Sequence, residues 1–275
     1  MVKVKNLVGV KKMMDNLKVY LTLLEQRRIE PNFFTSEAYL RASKVHVEEY
    51  QGLLCVLANK WNVLTPIEIQ QKNITPVWIL SPIWAALPSL SYEPRYRREF
   101  LDYEYLYDSK QFNDLSGHKW NVYRKNIRKW PKAHQNWQYL DVTPTTNLRQ
   151  VLDIVLKWTS IKRKEVQDFD TIWEYFTKHF DLKRMKILYN GDGIPVGVNA
   201  WDESWKYINF RFCLNIPDQP FIQEFLRHQF YTDPEIQTSG KLINDGGVMD
   251  SPGLEKFKDK LHPVEKRIIH SLLPV

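Results

Sequence analysis

Two apolar runs, Met185–Tyr189 and Ile194–Trp201, flank the tetrapeptide Asn190-Gly191-Asp192-Gly193. An Asn-Gly pair accepts positive φ at both central positions of a turn, which is the condition a tight hairpin imposes. The segment therefore predicts two antiparallel neighbours, and what surrounds it must extend or cover that sheet. Tyr207–Leu214 reads as the next strand. Upstream, Val151, Ile154, Val155 and Trp158 recur at helical spacing and place a helix over Leu148–Lys162. Further helices are expected over about Asp170–Phe180, Gln219–Tyr231 and Pro252–Lys260, with a strand over Lys241–Asn244 between the last two. Helices set around consecutive, hairpin-linked strands give an α+β fold with mixed, mostly antiparallel sheets flanked by helices.

The upstream half carries a shorter helix–strand–strand pattern. Residues 1–28 read as a basic amphipathic helix with Leu17, Leu21 and Leu24 on one face, ended by Pro31. Ser36–Leu40 suggests a short helix capped by Thr35 or Ser36. Val45–Leu57 and Trp61–Ile67 read as strands around Ala58-Asn59-Lys60. Four prolines, Pro76, Pro82, Pro88 and Pro94, make residues 74–97 loop-like. A polar stretch, Pro131–Asn147, is expected to separate two related units. The first spans 1–130 and includes the basic helix and a linking segment; the second spans 131–275.

Composition narrows the function classes. The chain has 275 residues and a formal charge of +7, a mild excess that suits a polyanionic partner without proving one. Its two cysteines, Cys55 and Cys213, are too few for a disulfide framework or a cysteine-based metal site, and both sit in apolar runs that favour buried thiols. The seven histidines show no metal-ligand spacing, and phosphate-loop, dinucleotide and nucleophile-elbow motifs do not occur. Residues 1–10 lack the apolar core of a secretion signal. No apolar stretch reaches the ~20 residues a bilayer demands, and the nearest, Pro76–Leu90, is interrupted by proline and reads as a buried irregular connection. A cytoplasmic location is the expectation.

Two segments have the residues for chemistry. In Asp114–Trp130, DLSGHKWNVYRKNIRKW, a helix begun near Ser116 puts Trp120, Tyr123, Ile127 and Trp130 on one stripe. No acidic residue occurs between Leu115 and Leu140, while Lys119, Arg124, Lys125, Arg128, Lys129 and Lys132 do. Arg124 and Arg128 line one edge of the stripe, and Lys119 and Asn126 lie near the other. Guanidinium groups held this way suit a phosphate or carboxylate, although a solvated basic face on a core helix would give the same pattern. His118 lies in the same segment. In Lys241–Pro263, a strand ending in Asn244-Asp245-Gly246-Gly247 is followed by a helix carrying Lys256 and Lys258. Glycines there admit a ligand close to the backbone and the helix start favours an anion. A glycine-rich surface turn with exposed lysines is the plainer reading.

DLSGHKWNVYRKNIRKW resembles the segment that opens the catalytic unit of the phosphatidylglycerol lysyltransferase C-terminal domain family. The closing GLEKFKDKLHP is similar to that family's terminal glycine-leucine, lysine and proline pattern, and ILYNGDGIPVGVNAW looks like the central hairpin of GNAT-like acyltransferases. Together they cover most of residues 99–267, and residues 33–67 resemble the first of two GNAT-like units. The resemblance implies a tandem GNAT-like acyltransferase fold, with Fem-type peptidyltransferases as distant relatives. It implies transfer of an aminoacyl group from aminoacyl-tRNA to an amine or hydroxyl acceptor. On family position and residue chemistry, Asp245 would orient the acceptor or take its proton. Lys258 or Arg124 would meet an anionic substrate or oxyanion. His118, Lys119, Asn126, Arg128, Asn244, Gly246 and Gly247 would bind substrate.

The donor can also be weighed from the chain. Acetyl-CoA-dependent GNAT enzymes place a glycine-rich pyrophosphate loop after the fourth strand. The matching stretch here, Asn215-Ile216-Pro217-Asp218-Gln219-Pro220, has no glycine and no basic residue, two prolines that lack amide donors, and an acid. No bound cofactor is expected, acyl-CoA is disfavoured, and tRNA is the expected partner. The acceptor (small molecule, peptide, lipid or nucleic acid) stays open. Modification of a nucleic-acid base by an aminoacyl or acetyl donor is one competing reading. A non-catalytic GNAT-like binding protein is another.

Overall fold

The computed structural model describes residues 33–44, 46–50, 53–57, 96–161, 169–248 and 251–274, with isolated positions between 17 and 31. In chain order its helices and strands begin with α1 (Glu37–Ala42), β1 (His46–Tyr50), β2 (Leu53–Leu57) and β3 (Tyr96–Tyr107). There follow α2 (Asn121–Ile127), α3 (Lys129–Ala133), β4 (Gln138–Asp141), α4 (Leu148–Ile161) and α5 (Phe169–Thr177). Then come β5 (Lys183–Tyr189), β6 (Pro195–Glu203), β7 (Tyr207–Asn215), α6 (Ile222–Tyr231) and α7 (Pro234–Thr238). β8 (Leu242–Asn244), α8 (Pro252–Asp259) and β9 (Glu265–Pro274) close the chain.

The Asn-Gly hairpin forms where its sequence places it. Asn190 Oδ1 accepts from the Asp192 and Ile194 amides at 3.1 and 2.9 Å, and the Gly193 N–H donates to the Asn190 carbonyl. Gly193 takes φ +73°, which a side chain would resist. Gly191 lies so close to the Gln135 carbonyl that a Cβ would sit 1.9 Å from its oxygen. The flanking strands β5 and β6 belong to a seven-stranded sheet of order β4-β5-β6-β7-β8-β3-β9, antiparallel except for β7 and β8. This is the expected α+β, mostly antiparallel architecture.

The chain order of the sheet holds three departures from the sequence reading. The polar stretch 131–147 is no spacer, because Gln138–Asp141 forms the edge strand β4. Long β3 crosses the sheet between β8 and β9, so residues assigned to the upstream unit complete the downstream sheet. The described upstream pair is β1 with β2, Tyr50 opposite Leu53, so Val45–Leu57, read as one strand, holds two antiparallel strands. Trp61–Ile67, residues 74–95 and most of 1–28 lie outside the described residues; positions 17–19, 21–22 and 25–26 are helical. Helix α1 is capped by Ser36, whose hydroxyl accepts from the Tyr39 amide at 3.2 Å.

Apolar side chains fill both faces of the sheet. On one face α2, α3, α6 and α8 cover Tyr105, Tyr107, Trp201, Ile208, Phe210 and Ile243. On the other, α1, α4 and α5 cover Met185, Ile187, Val198, Ala200 and Leu214. The stripe Trp120, Tyr123, Ile127 and Trp130 is buried as its spacing predicts. Its helix is not continuous: it opens with a 3₁₀ turn at His118–Trp120 and is broken at Arg128.

Candidate active site

β7 carries a bulge. Ala200 faces Phe212 and Trp201 faces Phe210, so Arg211 is an extra residue with no Cα partner in β6. The side chains record it independently. In a regular strand residues 210 and 212 share a face, yet Phe210 stacks on Phe230 of α6 and Phe212 packs against Phe176 of α5. Immediately beside the bulge the sheet parts. The parallel ladder of β7 with β8 ends at Asn209–Asn244. β7 continues to Asn215, while the chain after Asn244 turns to β3, where the Asp245 N–H meets the Tyr105 carbonyl at 3.0 Å. The main chain of residues 210–215 thus leaves its neighbour and borders a splayed opening.

Arg227 of α6 spans this opening. Its guanidinium lies 5.1 Å from the Phe210 ring on one lip and pairs with Asp245 on the other. The Tyr231 hydroxyl donates to the same Asp245 oxygen at 3.0 Å. Lys258 enters from α8, and its ammonium donates to the carbonyls of Asp245, Gly246 (3.1 Å) and Gly247 (2.8 Å). Asp245 and Lys258 are 5% and 2% exposed, so the pair of cations and the carboxylate form an ion cluster inside the protein. Burial holds the Lys258 ammonium down at about 8, against the attraction of Asp245. Gly246 takes φ +63° against the Phe33 ring, and a Cβ on Gly247 would sit 2.0 Å from Asp102 Oδ2. Both glycines answer a packing demand at this turn.

The opposite face is tied down by two further ion pairs, one buried and one partly buried. Arg211, the bulge residue, binds Asp202 through Nε at 2.7 Å and Nη2 at 3.1 Å, and Asn209 and Tyr175 donate to the same carboxylate. Arg211 also donates to the Phe33 carbonyl and to Ser36 Oγ. Arg267 of β9 pairs with Glu104 and donates to the Pro31 carbonyl. Asn244 joins them by donating to Glu104 at 3.1 Å. Residues 31–36 are in this way strapped across β7, β3 and β9.

The structure therefore brings together Asn244, Asp245, Gly246, Gly247 and Lys258. Asp245 and Lys258 face each other in a packed interior rather than the wall of an open cavity, and the donors of Lys258 are engaged by carbonyls. The other expected residues lie along the approach to α2 and on it. Arg124 donates to the Leu115 carbonyl and to Asn121, and Asn126 donates to Glu224 at 3.3 Å. His118, Lys119 and Arg128 are exposed, as are Lys125 and Lys132. A groove of about 500 Å³ opens beside the edge strand, among Trp137, Tyr139, Lys186, Gln229 and Asp233; its lining includes neither Asp245 nor Lys258.

Sequence reasoning missed Arg227, Tyr231 and the pairs Arg211–Asp202 and Arg267–Glu104. A signal existed for one of them: a lone arginine inside the apolar strand Tyr207–Leu214, and a lone aspartate after Trp201, each call for a buried partner. Among the described residues there is no cluster of metal-ligating side chains and no helix long and apolar enough to cross a membrane.

No protein-family model matches the sequence, and no curated protein aligns with it significantly. Solved structures do match in fold. A conserved protein of unknown function from Bacteroides thetaiotaomicron superposes with a TM-score of 0.68 at 14% identity, over 90% of this chain and 92% of that one. The C-terminal domain of a candidate lysylphosphatidylglycerol synthetase from Agrobacterium fabrum gives 0.62 at 13% identity, over 94% and 92%. This is the fold of the lysylphosphatidylglycerol synthetase C-terminal domain. L-PGS from Bacillus licheniformis shares it, at 0.58 and 16% identity over 83% and 80%. In this chain the sheet is seven-stranded and mostly antiparallel. It parts between β7 and β8, whose ladder ends at Asn209–Asn244.

Proposed function

We propose that the protein is an acyltransferase that moves an aminoacyl group from aminoacyl-tRNA to an amine or hydroxyl acceptor. The observation that carries this reading is the bulged strand bordering a splayed sheet. Peptide groups released from strand pairing there are fixed dipoles, available to an acyl carbonyl as its oxygen gathers charge. The acceptor nitrogen or oxygen bonds to the carbonyl carbon. The ester bond to the tRNA ribose breaks, and the acceptor's proton leaves with the ribose oxygen. In this reading the Asp245–Arg227–Lys258 cluster holds the lower lip in place, and Lys258 acts as a positioning residue through the carbonyls it gathers. Asp245 lies beside the acceptor through the turn it anchors.

Two features favour a tRNA-borne donor over coenzyme A. The loop 216–221, where a pyrophosphate would bind, is stapled to α3: Trp130 Nε1 donates to Gln219 at 3.0 Å and the Lys129 ammonium lies 3.7 Å from the Phe221 ring. Prolines 217 and 220 withhold amides, and Asp218 repels phosphate. The exposed cations Lys119, Lys125, Arg128 and Lys132 offer a phosphate-binding face on the same side as Arg227. His118 and Asn126 border that face. Purified protein incubated with labelled aminoacyl-tRNAs should lose label from the tRNA only when an acceptor is added. Label recovered in a nucleic acid would redirect the reading to base modification. No acceptor-dependent loss with any charged tRNA would sink the aminoacyl donor.

A further inference from the structure

β4 is an outer strand of the sheet and pairs with β5 alone. Its peptide groups alternate in direction. The Val142 N–H meets the Met185 carbonyl at 3.0 Å, one step past the pairing of Asp141 with Lys186. Gln138 and Leu140 therefore turn their N–H and C=O groups to β5 as well, and Tyr139 and Asp141 turn theirs outward. Those outward groups have no hydrogen-bond partner among the described residues. The side chains of the same two residues share the face that α6 covers. The Tyr139 hydroxyl accepts from Asn199 at 2.8 Å, and Asn199 also donates to the Leu226 carbonyl of α6. On this face, between β4 and the end of α6, lies the groove of about 500 Å³. A strand laid about 4.8 Å outside β4 completes the open ladder and sets every second side chain over the groove.

The charges around the groove select that side chain. Lys186 is the only cation lining it among the described residues, and two carboxylates share its ammonium: Asp233 at 2.7 Å and Asp141, at the rim, at 3.4 Å. The groove thus carries one negative charge in excess on a chain of +7. The Asp141 side chain is 78% exposed and open to a second cation. The Tyr139 ring already faces an ammonium, Lys186 Nζ at 5.6 Å, and the Trp137 ring stands beside it in the lining. We propose that the outer edge of β4 binds an extended peptide as an eighth strand, with a lysine or arginine side chain of that peptide lying among these rings toward Asp141. The groove is separate from the opening between β7 and β8, so the inference stands whether or not the donor is aminoacyl-tRNA.

The probe is a synthetic heptapeptide of alternating threonine and valine with lysine at its centre, titrated into the full-length, nitrogen-15-labelled protein. The amide signals of Tyr139 and Asp141 are expected to shift, and their hydrogen exchange to slow by about 10-fold or more at saturation, as free donors become paired. The same peptide with glutamate for lysine, and one with N-methyl groups along its backbone, are each expected to bind about 10-fold more weakly. Asp141→Asn, an exposed change that leaves the fold intact, is expected to weaken the lysine peptide about 5-fold, the loss of one exposed ion pair. Unmoved Tyr139 and Asp141 signals, or equal binding of the three peptides, would overturn the proposal. So would amides of these two residues already protected in a protein that sediments as a dimer, since a second copy would then fill the edge.

Discussion

Replacing Lys258 with methionine removes an ammonium from the interior while keeping most of the side-chain volume. Two opposed effects follow. Three carbonyls of residues 245–247 lose a donor, which destabilises the fold by about 1–3 kcal/mol for each that stays buried and unpaired. Against this, the wild-type ammonium is itself unfavourable. Its ordinary value of 10.5 falls to about 8 in the folded protein, so burial of the charge costs on the order of 3 kcal/mol at neutral pH. The pH dependence separates the two. Between pH 8 and 10.5 the unfolded chain holds a proton at this position that the folded chain has released, so stability contributed by Lys258 rises with pH across that window. From pH 7.5 to 9.5 the gain is roughly 2 kcal/mol for a single group with these two values. Lys183 and the buried tyrosines titrate alike in both proteins and cancel. Urea unfolding of wild type and Lys258→Met at the two pH values therefore should show the gap between them widening by that amount in favour of the wild type. Parallel pH profiles would refute the buried-ammonium account.

Other substitutions test other parts of the structure. Asp202→Ala leaves the Arg211 guanidinium buried without its carboxylate and should cost about 3–5 kcal/mol by urea unfolding; a loss below ~1 kcal/mol would mean that the pair is not closed. Gly191→Ala drives a methyl into the Gln135 carbonyl and should lower stability by about 1–3 kcal/mol, read as a drop in unfolding midpoint. Joint charge reversal at Lys119, Lys125 and Arg128 should change stability by only about 0.5 kcal/mol per site, since all three are exposed. The same variant should weaken tRNA binding and flatten its salt dependence by about one unit of slope per lost phosphate contact. Unchanged binding would place the tRNA elsewhere.

Periodicity made the helices legible. Val151, Ile154 and Val155 are buried on α4 as their spacing requires, and α6 and α8 lie within a few residues of their expected bounds. The hairpin at 190–193 was legible because its turn chemistry is local. β3 and β9 were not. The inward Glu104 of β3 and the Arg267 of β9 interrupt what would otherwise read as apolar alternation, and their principal partners are each other, across 163 residues of sequence. The same reason hid Arg227: nothing near it in the chain announces an aspartate eighteen residues later. Asp245 and its glycines were singled out through composition and resemblance, and the structure sets them in one turn with Lys258. The discontinuity at Arg128 escaped because the stripe Trp120–Trp130 keeps its register through the break.

The strap of residues 31–36 bears on how the molecule may be dissected. Two guanidinium groups from the late strands end on its backbone and its serine, and β3 completes the ladder that the last strand needs. A fragment begun at residue 131 would expose two rows of unsatisfied amides, and one begun at residue 37 would strip acceptors from both arginines. The smallest excisable piece that keeps these bonds starts at or before Pro31, so truncations meant to isolate a catalytic half will report on unfolding before they report on chemistry.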